Sequence, residues 1–409
     1  MKILIWDIFP LENIGGPMGY LYNLHEYLNV HPNSQITFLS DLIREKEGTV
    51  AEWYNPVSKN NKPSKTYLGK LFRRLKDVYI KCLFPFRKTK YQIPSSIDIN
   101  YYEYVHLHMV PHALQFRKQF PHYNGKVILT THCPCTWTDE ILSYTASATS
   151  KLNKITKFLR PIILQEECQA YQSVDYIMFP CKGAREPYQR DPKVSALFES
   201  IENKFFYVPS SLPDYNIDNS TQQKISEFGI PQDAFIIAFF GRHTSIKGYD
   251  ILKEVGVRLL EEYPYLYFLC AGNGNIQPPK HPRWIELGFI RNVDDILPQS
   301  NLYILPNRET YFDLIALQVL RAGVPMVLSE TGGNKYFAIL PEDERRGLLF
   351  YKSEDKDLLT AMVKKIVDLY NFNSNEYNEM RQKNRFLYET YFTIDKYVMD
   401  YIDAVENLK

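Results

Sequence analysis

Cysteine is scarce in this chain and charge of either sign is in no excess. Six cysteines among 409 residues cannot build a dense disulfide framework, so reduced thiols, as in a cytoplasm, are expected. Cys133-Pro134-Cys135 stands beside His132 without a second cysteine pair at matching spacing, so no metal is expected there. Lys and Arg total 48 against 47 Asp and Glu, and the net charge of +1 gives no case for nucleic acid as the main ligand. No apolar run approaches the roughly 20 residues of a membrane-spanning helix. The opening Met1-Lys2-Ile3-Leu4-Ile5-Trp6 is too short, and too soon followed by Asp7, to read as a signal peptide. The chain also lacks any long low-complexity tract. Its 45% hydrophobic content suffices for two sizeable cores, so two domains are expected.

What is present is most informative at Phe239-Phe240-Gly241-Arg242, followed after a short loop by Lys247-Gly248. Residues 235–240 form a short continuous apolar run, as buried parallel strands do, and residues 249–263 carry apolar side chains at helical spacing before Pro264. The turn therefore opens a helix, whose dipole and first N–H groups favour an anion, while Gly241 and Gly248 permit close backbone approach. Two cations at this spacing suit a diphosphate. The plain alternative is a pair of solvated charges on an ordinary strand-helix loop.

Farther along come Leu302-Tyr303-Ile304-Leu305-Pro306-Asn307-Arg308-Glu309-Thr310-Tyr311-Phe312-Asp313-Leu314, Gln318, Gly323-Val324-Pro325 and Gly332-Gly333. Across residues 235–337 the chain resembles the family-4, retaining glycosyltransferases of the GT-B fold. Their C-terminal half has a Gly-Arg…Lys-Gly turn, two Glu separated by seven residues and a Gly-Val-Pro strand entry. The resemblance implies two doubly wound Rossmann-like α/β domains facing a central cleft. It places an acceptor-side domain at 1–215, a nucleotide-sugar domain at 216–385, and a C-terminal helix at 386–409 that returns to the first domain.

By that resemblance Arg242 and Lys247 neutralise the departing phosphate without a metal or other cofactor, and Gly241 lets the backbone approach it. Gly15 and Gly16, between the strand at 3–5 and the helix at 18–28, face the donor diphosphate. His132 closes the strand at 127–130 against the donor sugar, whereas His106, in the strand at 104–107, is expected to be structural. Arg291, in Phe289-Ile290-Arg291, covers the nucleobase. Gln318 occupies the position of the ribose-binding Glu. The first Glu position falls on Thr310, with Glu309 one residue early, either bulging into place or pairing with Arg308. Asp313 replaces a usual Gly at the donor site, and its plain role is an N-cap for the following helix. The implied activity is sugar transfer from a nucleotide donor, UDP-sugar favoured, to a glycan or lipid-linked acceptor. A non-catalytic binding subunit and a nucleotide-sugar epimerase of the same fold stay open.

Two stretches suggest an anionic membrane surface as a partner and a peripheral place on the inner face of the cell membrane. From Lys59 to Lys90, nine Lys and Arg from Lys62 to Lys88 face only Asp77 and interleave with Leu68, Leu71, Phe72, Leu75, Val78, Tyr79 and Leu83. Residues 151–160 repeat the pattern with Lys151, Lys154, Lys157 and Arg160. Turn residues at 210–221 mark the expected linker between domains.

Overall fold

A computed structural model describes residues 1–8, 11–12, 16–47, 82–87, 93–94, 96–146, 152–214, 225–290 and 292–408. The chain divides into two units, the first comprising Met1–Phe179, Tyr188–Tyr207 and Ala404–Lys409, the second Pro180–Pro187 and Val208–Asp403.

The first unit holds a six-stranded parallel sheet in the order β2-β1-β3-β4-β5-β6. Its strands are β1 (Ile3–Trp6), β2 (Ile36–Phe38), β3 (Tyr104–Leu107), β4 (Lys126–Thr130), β5 (Tyr176–Phe179) and β6 (Phe205–Tyr207). Every residue of β1 is buried, as expected of a strand covered on both faces. Trp6 meets Phe116 of the helix Val110–Gln119 edge-on at 5.2 Å, fixing that helix against the sheet. Buried Glu167 caps the helix Trp137–Ala146. It accepts from the backbone N–H groups of Trp137 and Thr138 at 2.8 and 2.9 Å, and from the Thr138 and Tyr171 hydroxyls at 2.6 Å. Burial pushes this carboxyl up, and those four donors oppose the shift.

The second unit holds another six-stranded parallel sheet, in the order β12-β11-β10-β7-β8-β9. These strands are β7 (Phe235–Phe240), β8 (Leu266–Ala271), β9 (Trp284–Glu286), β10 (Leu302–Leu305), β11 (Met326–Ser329) and β12 (Leu348–Tyr351). The helix α1 (Tyr249–Glu262) buries Ile251, Leu252, Val255 and Leu259 against them. Gly256 lies in the middle of α1, where glycine costs about 1 kcal/mol relative to alanine. A Cβ there would stand 2.5 Å from the Trp284 ring and 2.9 Å from Phe268, whose rings stack at 4.6 Å. Close approach of helix to sheet therefore requires the glycine.

Three local expectations change. The spacing of strands predicts a helix between residues 287 and 302, but among the described residues of that span only the 3₁₀ turn Leu297–Gln299 forms. The terminal stretch is two helices, Ser374–Tyr391 and Ile394–Glu406. Between them Phe392 inserts its ring against Phe337 and Phe312, at 5.5 and 6.2 Å, and takes the chain out of helical geometry. The start of the expected linker, residues 210–214, is tied down: Leu212 N–H donates to Phe392 O, Tyr388 Oη to Leu212 O, and Arg385 to both Asp214 oxygens. Residues 215–221 lie outside the described residues.

Candidate functional site

In the second sheet the chain order reverses between β7 and β10, and ligands of open parallel sheets bind beyond the strand C-termini at such a point. The β7–β10 ladder pairs Leu302 with Ile237 and Tyr303 with Ala238, then stops. Beyond it the Tyr303 hydroxyl accepts from Phe240 N–H and donates to Phe240 O, both at 3.0 Å, in place of further ladder bonds. Burial of that hydroxyl raises its pKa. The strands thus part above a satisfied floor, and the loops 241–248 and 306–313 rise on either side.

Glycine is obligatory at the end of the first loop. Gly248 has φ +67°, and a Cβ on it would lie 1.8 Å from Pro306 O of the second loop. This contact sets Lys247 opposite Asp313. Lys247 Nζ donates to both Asp313 carboxylate oxygens at 2.7 and 2.6 Å, and Asn307 Nδ2 donates to one of them at 2.6 Å. Burial pushes the Asp313 carboxyl up, but the Lys247 charge with the hydrogen bonds from Lys247 and Asn307 outweighs it and holds the group below the usual carboxylate range.

The expected N-cap role of Asp313 is not what the structure shows. Asp313 precedes the helix α2 (Leu314–Arg321) in extended conformation, yet its side chain makes no cap bond. It has turned to the stronger, charged donor. The expected open N-terminus of α1 is also filled. Asp250, in its first turn, is taken up by Arg308, which donates to its two oxygens at 2.7 and 2.8 Å and holds the carboxyl low. Arg308 also bonds Ser245 O at 2.7 Å and the Glu354 carboxylate, so it clamps the two loops together. At the start of α1 the Asp250 charge is thus matched by Arg308, whereas the start of α2 has no side-chain cap.

The remaining expected residues divide. Arg242 is exposed on the turn after Gly241, beside buried His243, whose ring stacks on Tyr249 at 3.8 Å. Glu309 is half-buried, with its N–H directed at Ile246 O (3.4 Å), and Arg308, its expected alternative partner, is committed to Asp250 and Glu354. Thr310, at the first Glu position, is fully buried. Gln318 Nε2 points to Asp294 Oδ1 at 3.5 Å, and Asp294 in turn accepts from Arg321 at 2.6 Å. A glutamate at 318 would face that carboxylate. Arg291 lies outside the described residues; its neighbour Phe289 is 63% exposed. Sequence reasoning gave no site role to Asn307, Asp250, Asp294 and Tyr303, and considered Arg308 only as a partner for Glu309. Only Asp250, an acid in the first turn of a helix, carried a recognisable signal.

In the first unit, histidines gather beyond β3 and β4. His106 Nε2 pairs with Thr130 Oγ1 at 2.8 Å, the structural role expected for it. His132 has φ +56°, a conformation costly for a residue with a side chain, and its Nε2 meets His108 Nδ1 at 2.9 Å. Burial depresses the whole group, His112 to about 4 and His132 to about 3, so these rings are neutral at pH 7. Among the described residues no group of three or more His, Cys, Asp or Glu is disposed to hold a metal ion. Gly15 lies outside the described residues, and Gly16, φ +61°, starts the helix Gly16–Val30.

Most of the basic segment from Lys59 to Lys90 lies outside the described residues. Leu83, counted in its apolar stripe, is buried with Cys82 and Phe86, and Phe86 packs edge-on against Trp137 at 4.8 Å. In the second stretch Arg160 is paired with Asp139 and Asp191 at 2.7 to 2.9 Å, so its charge is already matched. No helix of the described residues is long and apolar enough to cross a membrane.

Comparison with known proteins places these features. The structure covered along its full length by sucrose-phosphate synthase from Thermosynechococcus elongatus (TM-score 0.61, 13% identity, 99% of that chain) has the same fold. So does HepE from Anabaena in complex with UDP (TM-score 0.61, 11% identity, 100% of both chains). In sequence, the O-antigen biosynthesis glycosyltransferase WclY of Escherichia coli is 22% identical over 237 residues, 53% of this chain and 62% of that protein. The D-inositol 3-phosphate glycosyltransferase of Corynebacterium jeikeium is 27% identical over 169 residues, 37% of this chain and 40% of that protein. The chain thus spans about three fifths or less of the length of these curated relatives. Residues 234–371, which contain the β7–β10 crevice, match the family described as glycosyl transferases group 1, within a GT-B fold.

Proposed function

We propose that this chain transfers a sugar from a nucleoside diphosphate donor, a UDP-sugar, to a glycan or lipid-linked acceptor in surface polysaccharide synthesis, with retention at the anomeric carbon. The observation that carries the reading is Lys247, held at the β7–β10 reversal point where a ligand is expected. The match of residues 234–371 and relatives named as glycosyltransferases support the activity, and a neighbouring structure in complex with UDP supports the nucleotide.

Breaking the bond between sugar and diphosphate puts charge on the β-phosphate, and stabilising that charge is the main electrostatic task. Lys247 meets it by exchanging Asp313 for phosphate. The first N–H groups of α2, which Asp313 leaves without a side-chain cap, add their dipole, and exposed Arg242 closes over the phosphates. Phosphate charge is then carried by side chains and no metal is required. His132 contacts the donor sugar, Glu309 its hydroxyls and Gln318 the ribose. Gly15, Gly16, Gly241 and Arg291 take the backbone and nucleobase contacts that the resemblance gives them. The protein works at the inner face of the cell membrane, with the segment from Lys59 to Lys90 on anionic lipid.

A panel of nucleotide sugars incubated with acceptor glycolipids, with and without chelator, tests this reading. Transfer insensitive to chelator, giving a product with the donor's anomeric configuration by NMR, is expected. Loss of transfer with chelator and its return with manganese would overturn the metal-free mechanism. One observation favours a second reading, a non-catalytic binding subunit: Thr310 and Gln318 stand at both acidic positions of the motif. UDP binding with no turnover of any donor would select it.

A further inference from the structure

The first unit contains a hydrogen bond between two neutral imidazoles, His108 Nδ1 and His132 Nε2, 2.9 Å apart with ring planes 28° from parallel. Such a bond holds one hydrogen. Either His108 donates from Nδ1, or His132 donates from Nε2. The surroundings of His108 distinguish the two. His108 is 1% exposed, and its other nitrogen, Nε2, has no hydrogen-bond partner among the described residues. If His132 donated, the His108 proton would sit on Nε2 as a buried N–H without an acceptor. If His108 donates, Nε2 carries only an unmatched lone pair. Buried orphan N–H groups are rarer and more costly than under-used acceptors.

The second arrangement is therefore the stable one, and it dictates the state of His132. With Nε2 accepting, the neutral ring must carry its proton on Nδ1. We infer that His108 is a positioning residue that fixes His132 as the Nδ1–H tautomer, so that His132 meets its ligand as a hydrogen-bond donor through Nδ1 to an acceptor oxygen.

The neighbourhood is built to hold this geometry. His106, itself bonded to Thr130, lies with its ring centroid 4.1 Å from that of His108. The Tyr20 ring lies 4.9 Å from His132. The left-handed backbone of His132 is pinned on both sides by one phenol: Tyr188 Oη pairs with Thr131 Oγ1 at 2.6 Å and donates to Cys133 O at 2.7 Å. A strained residue over-determined in this way is characteristic of a functional contact. The depressed basicity of both rings agrees with a shared hydrogen between neutral imidazoles.

The tautomer follows from this unit alone, whereas the role of Nδ1 toward a sugar oxygen rests on the proposed function. The test separates them. The full chain with ¹⁵N-labelled histidine is studied by two-bond ¹⁵N–¹H correlation between pH 6 and 8, with His132→Gln identifying the His132 signals. His132 protonated on Nδ1 is expected, and protonation on Nε2 overturns the inference. His108→Leu should release His132 into a mixture of tautomers, while His108→Asn, whose amide N–H can donate in place of Nδ1–H, should retain Nδ1–H. An unchanged His132 tautomer in His108→Leu also overturns the inference. If His108→Leu does not fold, the parent and His108→Asn still decide the matter. In turnover, KM for the nucleotide sugar should rise about tenfold in His108→Leu, the worth of one hydrogen bond, and recover in His108→Asn. An Nδ1–H tautomer in a chain that turns over no donor would refute the proposed function and leave the tautomer assignment standing.

Discussion

Replacing Asp313 with Asn removes the charge that now occupies Lys247 and leaves the side-chain volume nearly unchanged. The two side chains are only 14% and 17% exposed and lie 2.6 Å apart, so the ammonium loses a nearby countercharge with little water to replace it. Breaking a buried pair by removing one partner costs about 3–5 kcal/mol, and this partial exposure argues for the lower end. A bound diphosphate reverses the sign. In the parent it must displace Asp313 from Lys247 and then sit near that carboxylate. Two unit charges about 5 Å apart repel by about 3 kcal/mol at an effective dielectric constant of about 20. Allowing half of this for screening and rearrangement, Asp313→Asn should bind UDP at least about tenfold more tightly, since each 1.4 kcal/mol is a factor of ten. The variant should therefore unfold at a lower temperature without ligand and gain more from UDP than the parent does. Titration calorimetry at low ionic strength and paired thermal melts with and without UDP read both effects. If Asp313→Asn folds normally and binds UDP no better than the parent, Asp313 does not compete with phosphate, and Lys247 is not the phosphate ligand.

Asp7 is fully buried, and burial lifts its carboxyl to about 7 despite hydrogen bonds from Ser40 N–H and Oγ. The folded chain then keeps a proton that the unfolded chain releases near pH 4. This contribution is full below pH 4, is lost as pH rises to about 7, and amounts to about 4 kcal/mol; Asp7→Asn should flatten that slope in urea unfolding between pH 4 and 8. Gly256→Ala gains about 1 kcal/mol of helix propensity but forces a methyl group onto Trp284, and overpacking of this kind costs about 1–3 kcal/mol, so net destabilisation in denaturant is expected. Tyr303→Phe strips the partner from buried Phe240 N–H and C=O and should cost about 1–3 kcal/mol, with an unchanged unfolding midpoint counting against Tyr303 as the crevice floor. Gly248→Ala should abolish UDP binding, because neither φ +67° nor the contact with Pro306 O accommodates a Cβ.

Where the fold was legible, the reason was local. The run 235–240 is buried at every residue, and such continuous apolar segments bounded by Gly or Pro read directly as parallel strands. β5, β6 and β12 were not picked out. Phe205–Tyr207 and Leu348–Tyr351 are short edge strands whose pairing is supplied by neighbours distant in sequence. At the site, the glycines and cations of the 241–248 turn were visible because their chemistry is carried by residue type and spacing. The Lys247–Asp313 pair was not. It joins residues 66 positions apart, and Asp313 before a helix is indistinguishable in sequence from an ordinary cap. His108 was hidden for a similar reason, since its meaning lies in a hydrogen bond to a residue on another loop.

The central claim is that the β7–β10 crevice holds the diphosphate of a nucleotide donor through Lys247 without a metal. Calorimetric titration of UDP into the parent chain and into Lys247→Ala, both in chelator, tests it most directly. Binding to the parent, weakened about a hundredfold or more in Lys247→Ala with the fold unchanged, is the expected result, because a charged partner of the phosphate is lost. Equal binding by the two proteins, or binding that appears only when a divalent cation is supplied, would contradict it.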